Sequence, residues 1–187
     1  MDNKLFISFH AFFLLFIFLA GGVNKIANFQ GTVDFLKTKI NAIQLNPVFI
    51  VAFIGTILYF YVIIMNQTNN IYLFLFISMV FIGIPVLVYF KKALNQSKAL
   101  VSLIYNTAIT GVIGLLALGS LLILYSLYTS KYEAYAYLAT IGLAVFTAMT
   151  ILIFHFPTNP NETISFTKNL SIFGGLMLLS QRFSFAN

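Results

Sequence analysis

The chain has 187 residues, of which 60% are hydrophobic and only 7% are charged, with ten Lys and Arg against four acidic residues. A soluble domain carries roughly 25% charged residues, so this composition excludes a water-covered globular domain. The chain contains no cysteine, which excludes a disulfide, a thiolate zinc site, an iron–sulfur cluster and a thioether-linked haem built from its own residues.

The net positive charge is not the signature of a nucleic-acid-binding protein. The basic residues lie mainly in short polar connections between apolar runs, where Lys and Arg commonly set membrane topology. No basic face interleaved with exposed aromatic residues is visible in the sequence. Nucleic acid is therefore not an expected partner, and the lipid bilayer is.

The first apolar run extends from about Leu5 to Gly22 and predicts a first transmembrane helix. Its length of about 18 residues lies near the lower limit for a transmembrane helix, which is about 17 residues. A short basic start, an apolar core and small residues also fit a secretory signal peptide, and that alternative stays open. Gly21 and Gly22 are expected to end the helix and to let the backbone turn toward Lys25.

A polar stretch follows, in which the apolar residues Val33, Leu36 and Ile40 recur at spacings of three and four. Thr32 is expected to cap a helix here, with Asp34 favourably placed in its first turn. The pattern predicts an amphipathic helix that lies in the membrane interface. A connecting helix packed on the bundle fits the same pattern equally well.

The rest of the chain is organised as long apolar runs separated by short polar loops. Five of these runs predict transmembrane helices over about 47–65, 71–90, 100–128, 134–155 and 168–181. Pro47 suits the first turn of the earliest of them. The sequence therefore predicts an all-α polytopic membrane bundle of about six transmembrane helices with one interfacial amphipathic helix, forming a single domain over residues 1–187.

The distribution of Lys and Arg predicts an orientation, because alternate connections fall on alternate sides of the membrane. The amino end, the loop near Lys131 and the carboxyl end share one side. The other side is expected to face the cytoplasm or the equivalent organellar compartment, since it holds Lys25, Lys37, Lys39, Lys91, Lys92, Lys98 and Lys168. The expected location is a bacterial inner membrane or an organellar membrane, which the chain crosses several times.

Reactive side chains are few, and their positions limit the chemistry. His10 and His155 fall near opposite ends of their predicted spans, at depths that differ by about 18 Å, so they are not expected to ligate one haem. No acidic residue lies within a predicted span, which argues against proton pumping and cation-coupled transport. No metal site and no catalytic residue is predicted.

Two ordered stretches carry a resemblance to a known family. The first is Phe18-Leu-Ala-Gly-Gly-Val-Asn-Lys25 followed by Gly31-Thr-Val-Asp-Phe-Leu36. The second is Phe154-His-Phe156, a short polar loop, and Phe166-Thr-Lys-Asn-Leu-Ser-Ile-Phe-Gly-Gly-Leu-Met-Leu-Leu179. Together they resemble the beginning and the end of DoxX-family membrane proteins. The hairpin over 47–92 departs from the usual four-span pattern of that family and is interpreted as an insertion into a DoxX-like four-helix core.

The resemblance implies a small subunit associated with a membrane redox or quinone-linked complex, with a quinone as the implied cofactor, no covalently bound group, and other membrane subunits as partners. The residues that match the family motifs and carry useful chemistry are Gly22, Lys25, His155, Lys168 and Asn169. If their helix ends converge, they form a basic cluster at the interface that suits an anionic headgroup, a sulfur oxyanion or a quinone carbonyl.

Two alternatives to this interpretation remain. The lysines of the cluster are also explained as interface markers, with Asn169 as a helix cap. The chain as a whole is also explained as a structural or assembly subunit of a larger membrane complex without ligand chemistry of its own, in which the additional hairpin supplies an interface.

Overall fold

The computed structural model describes residues 3–67, 97–157 and 160–183, together with 77, 78, 81–83, 85 and 88. Within these residues the chain is helical and contains no strand, which confirms the all-α prediction. Seven α-helices are described: α1 (Asn3–Ala27), α2 (Phe29–Ala42), α3 (Pro47–Gln67), α4 (Lys98–Gly114), α5 (Ser120–Thr129), α6 (Glu133–Phe154) and α7 (Thr163–Gln181).

Four described helical stretches are long and apolar enough to cross a membrane, namely Lys4–Ala27, Pro47–Asn66, Lys98–Thr129 and Glu133–Phe154. They indicate a membrane protein, but the predicted count of six spans is not confirmed. The predicted span over 71–90 and its loop lie largely outside the described residues. The predicted sixth span lies within α7, whose first half is too polar for a comparable span because it carries Ser, Thr, Lys and Asn.

Several helix starts follow from local chemistry. Pro47 begins α3 as predicted, and the Oδ1 atom of Asn46 accepts a hydrogen bond of 2.7 Å from the Phe49 backbone N–H. The hydroxyl of Ser97 accepts from the Leu100 backbone N–H at the start of α4. Helix α6 has nearly the predicted bounds, with His155 directly after its last residue.

The start of α2 differs from its prediction. The helix begins at Phe29 after the non-helical residue Asn28, three residues before the predicted cap. Thr32 therefore lies inside the helix, where its hydroxyl donates to the Asn28 carbonyl at 2.8 Å, and Asp34 lies beyond the first turn. Two residues of the predicted apolar face, Val33 and Ile40, are buried, as expected for the alternative of a helix packed on the bundle.

The end of α1 was also predicted wrongly. Gly21 and Gly22 lie within a continuous helix that ends at Ala27, so they do not turn the backbone. Gly22 is buried against the middle of the fourth predicted span, where a Cβ atom would lie 3.4 Å from the Leu116 Cβ and 3.6 Å from the Ala117 nitrogen. Its small size permits close helix packing, as small residues commonly do in membranes.

Helices α4 and α5 form one long helix interrupted by a π-helical segment, Leu115–Gly119. Such a segment inserts a wider turn without ending the helix. Helix α1 packs on this segment and on α5, while α6 packs on α5 and α7. The best-buried side chains include Leu15, Tyr137 and Leu176, so α1, α6 and α7 all contribute to the core.

Polar contacts identify which chain segments share an end of the bundle. The Nζ atom of Lys4 donates to the Ser130 hydroxyl at 2.9 Å, and Arg182 pairs with Glu133 at 3.6 Å. The beginning of α1, the loop between α5 and α6 and the end of α7 therefore meet at one end, as the connection count predicts.

Candidate functional site

A cavity of about 1240 Å³ lies between α2, α4 and α6, next to the end of α1. Its lining extends from Leu138 in α6 to His155 directly after that helix, a length of about 25 Å. Most lining residues are aliphatic or aromatic. Polar groups enter where α1 meets α2, through Asn24, Lys25, Asn28 and Thr32, and at the end of α6, through Thr150 and His155.

Lys25 reaches the cavity from the last turn of α1 and is half-buried. Its position beside a helix carboxyl end suits a cation, because the last carbonyl groups of a helix carry partial negative charge. Among the described residues it forms no ion pair within 4 Å. Lys25 can therefore donate up to three hydrogen bonds to a molecule in the cavity.

His155 lies directly after α6 and faces a carboxylate as well as the cavity. Its Nδ1 atom is 2.7 Å from the Oε2 atom of Glu162. An ionised carboxylate can only accept, so the ring N–H donates. This hydrogen bond is the main reason why the pKa of Glu162 is lowered, and the electrostatic attraction of His155 and Lys39 lowers that pKa further.

Glu162 also connects α2 to the end of α6. Its Oε1 atom lies 3.9 Å from the Lys39 ammonium, and that ammonium is 5.5 Å from the centre of the Phe35 ring. The Phe35 ring stacks on Phe154 with centroids 5.4 Å apart. These contacts hold α2 against the cavity, and Phe35 and Phe154 both line it.

The structure brings two of the predicted site residues, Lys25 and His155, to this cavity. The other predicted residues lie elsewhere. Gly22 packs against Leu116 and Ala117. Lys168 is exposed on α7, and the Asn169 amide donates a hydrogen bond to the Ser165 carbonyl at 3.0 Å. Neither residue is among the described lining residues.

Lys39 and Glu162 contact the lining residues Phe35 and His155 but are not themselves among the described lining residues, and neither was predicted from the sequence as a site residue. Glu162 follows His155 by seven residues across a short loop, and that spacing is a signal that could have indicated the pair. Lys39 is separated from Glu162 by more than a hundred residues, so only the packing of α2 on the end of α6 brings it close.

The other histidine lies away from the cavity. His10 is exposed on the first half of α1, and its Nδ1 atom lies 2.8 Å from the Phe6 carbonyl oxygen. Within the part of the chain that the structure describes, no three His, Asp or Glu side chains come together in a group that could hold a metal ion.

Comparison of the chain with protein-family models, curated proteins and solved structures gives no match. The functional interpretation therefore depends on the cavity and on the sequence motifs that border it.

Proposed function

We propose that this chain is a DoxX-like integral membrane protein that acts as a small subunit beside a membrane redox complex and binds a quinone in the cavity. One observation supports the proposal most directly. Lys25 from the first family-like motif and His155 from the second line the same cavity, although 130 residues separate them in the sequence.

The shape and chemistry of the cavity suit an amphipathic ligand. A quinone carbonyl accepts hydrogen bonds, and Lys25 supplies donors at the polar end of the cavity. The ring and an isoprenoid tail would lie along the aliphatic lining of α4 and α6, as in ligand sites that combine an apolar body with a few polar anchors. The proposed location is a bacterial inner membrane or an organellar membrane, crossed several times.

Purification from native membranes in a mild detergent tests the proposal. The preparation should contain about one extractable quinone per chain and a co-purifying redox subunit. His155→Ala should reduce both the bound quinone and electron transfer by the complex. His10→Ala is the matched control, because that imidazole lies on the first half of α1 and should change neither. If no quinone and no redox subunit accompany the chain, the proposal fails.

The alternative function is that of a structural or assembly subunit, and it is favoured by the outer face of α3. Five aliphatic residues at spacings of three and four are more than half exposed there, namely Val48, Val51, Ile54, Leu58 and Val62. Val51→Trp should dissociate a larger complex on a native gel if this face is an interface with another subunit. Retained assembly would assign the face to lipid.

A further inference from the structure

Lys25 is a cation at the cavity whose charge no acidic residue of the structure neutralises. The chain has four acidic residues, and the three that the structure describes all lie in other contacts. Glu162 binds His155 and Lys39, and Glu133 pairs with Arg182 at the opposite end. Asp34 accepts a hydrogen bond from Gln30 on the exposed face of α2.

The fourth acidic residue is Asp2, which precedes α1 in the sequence. Helix α1 alone separates Asn3 from Lys25 by about 33 Å. The charge of Lys25 therefore has to be balanced by water, by lipid or by a ligand.

The neighbouring contacts of Glu162 with Lys39 and His155 do not cancel the positive charge of Lys25. Glu162 supplies one negative charge, which it shares between Lys39 and His155. Together with Lys25, the site therefore has a net positive charge whether the imidazole is neutral or protonated. A half-buried ammonium beside an aliphatic cavity is stabilised by an opposite charge more strongly than it would be in water.

We infer that the cavity binds an amphiphile taken from the membrane whose polar group carries a single negative charge, with that group against Lys25 and the tail along α6. The inference rests on the proposed function in treating the cavity as a ligand site. For a quinone it means that the site favours a reduced, anionic form over the oxidised, neutral form, because only the anion forms an ion pair with the ammonium.

Two probes with the same sixteen-carbon tail test the charge preference directly. The purified full chain in phosphatidylcholine nanodiscs is titrated with hexadecyl sulfate and with hexadecanol, and binding to empty nanodiscs is subtracted. Hexadecyl sulfate should bind roughly tenfold more tightly, which is the effect expected for replacing a neutral hydrogen bond by a charge-assisted one.

Two variants assign the preference to a residue. Lys25→Gln should bind both probes with similar affinity, because it keeps a hydrogen-bond donor and loses the charge. Lys98→Gln is the matched control, since Lys98 is exposed in the first turn of α4 and is not a described lining residue. It should keep the full preference for the sulfate.

Each other outcome has a separate meaning. Equal binding of the two probes to the wild-type chain overturns the inference and leaves the cavity as a ligand site. A preference that survives Lys25→Gln overturns it as well, because another charge must then be responsible. If neither probe binds and no quinone is extracted from the native protein, the proposed function fails too. If Lys25→Gln does not fold, the wild-type comparison still decides the inference.

Discussion

Gly21 and Gly22 are adjacent in α1, and we expect opposite responses to the same substitution. A Cβ atom at Gly22 would lie 3.4 Å from the Leu116 Cβ and 3.7 Å from the Ala117 Cβ, which is ordinary contact. Gly22→Ala should therefore fit and stabilise the helix by up to about 1 kcal/mol, the difference in helix propensity between Gly and Ala.

Gly22→Leu adds three more carbon atoms where the neighbouring helix already touches the first. Overpacking of this kind costs about 1–3 kcal/mol. Gly21→Leu is the control, because nothing lies within 4 Å of a Cβ atom at Gly21, and this variant should be as stable as wild type or slightly more stable.

The assay is unfolding in mixed micelles with increasing dodecyl sulfate, followed by circular dichroism, for all three variants and the wild-type chain. The expected order of stability places Gly22→Ala at or above wild type and Gly22→Leu clearly below Gly21→Leu. If the two leucine variants are equally stable, α1 does not approach the π-helical segment at Gly22, and the packing described above is wrong.

Three further predictions address charge, burial and topology. The pKa of Glu162 is lowered in the folded chain, so the stabilising contribution of its carboxylate should be complete at neutral pH and be lost as the pH falls below the ordinary value of 4.5. The unfolding midpoint of the wild-type chain should therefore decrease in this acidic range, and Glu162→Gln should make the decrease smaller. The Ser126 hydroxyl is buried without a hydrogen-bond partner among the described residues, so Ser126→Ala should raise stability by about 1 kcal/mol in the same unfolding assay. The chain has no cysteine, so Asn28→Cys and Ser130→Cys can be labelled singly with a membrane-impermeant maleimide, and they should react from opposite sides of the membrane; labelling from the same side would contradict the arrangement of helix ends.

The helical architecture was largely predictable because apolar run length and proline position act locally. The run that became α6 was predicted almost to the residue, and Pro47 fixed the start of α3. The start of α2 was missed because Thr32 and Asn28 are both acceptable caps, and the choice depends on where α1 ends. Gly21 and Gly22 resemble a helix terminus in sequence, but α1 continues through both of them to Ala27.

The site was only partly predictable for a similar reason. Counting crossings predicted that Lys25 and His155 lie at helix ends on the same side, and both line the cavity. Lys168 and Asn169 share that side, yet a helix has several faces, and depth alone does not determine which face a side chain occupies. The participation of Lys39 depends on how α2 packs, which the spacing of its apolar residues does not specify.

The length of the joined α4 and α5 helix has a consequence for how the protein meets its surroundings. The 32 residues of Lys98–Thr129 extend about 48 Å, whereas the hydrocarbon layer is about 30 Å thick. Even a tilt of about 40° leaves several residues outside the hydrocarbon layer. Because Thr129 lies next to the loop at Ser130 that contacts Lys4 in the first turn of α1, the excess belongs to the Lys98 end. The first turn of α4, which carries the exposed Lys98, is therefore expected at the level of the lipid headgroups, where its ammonium can contact phosphate groups.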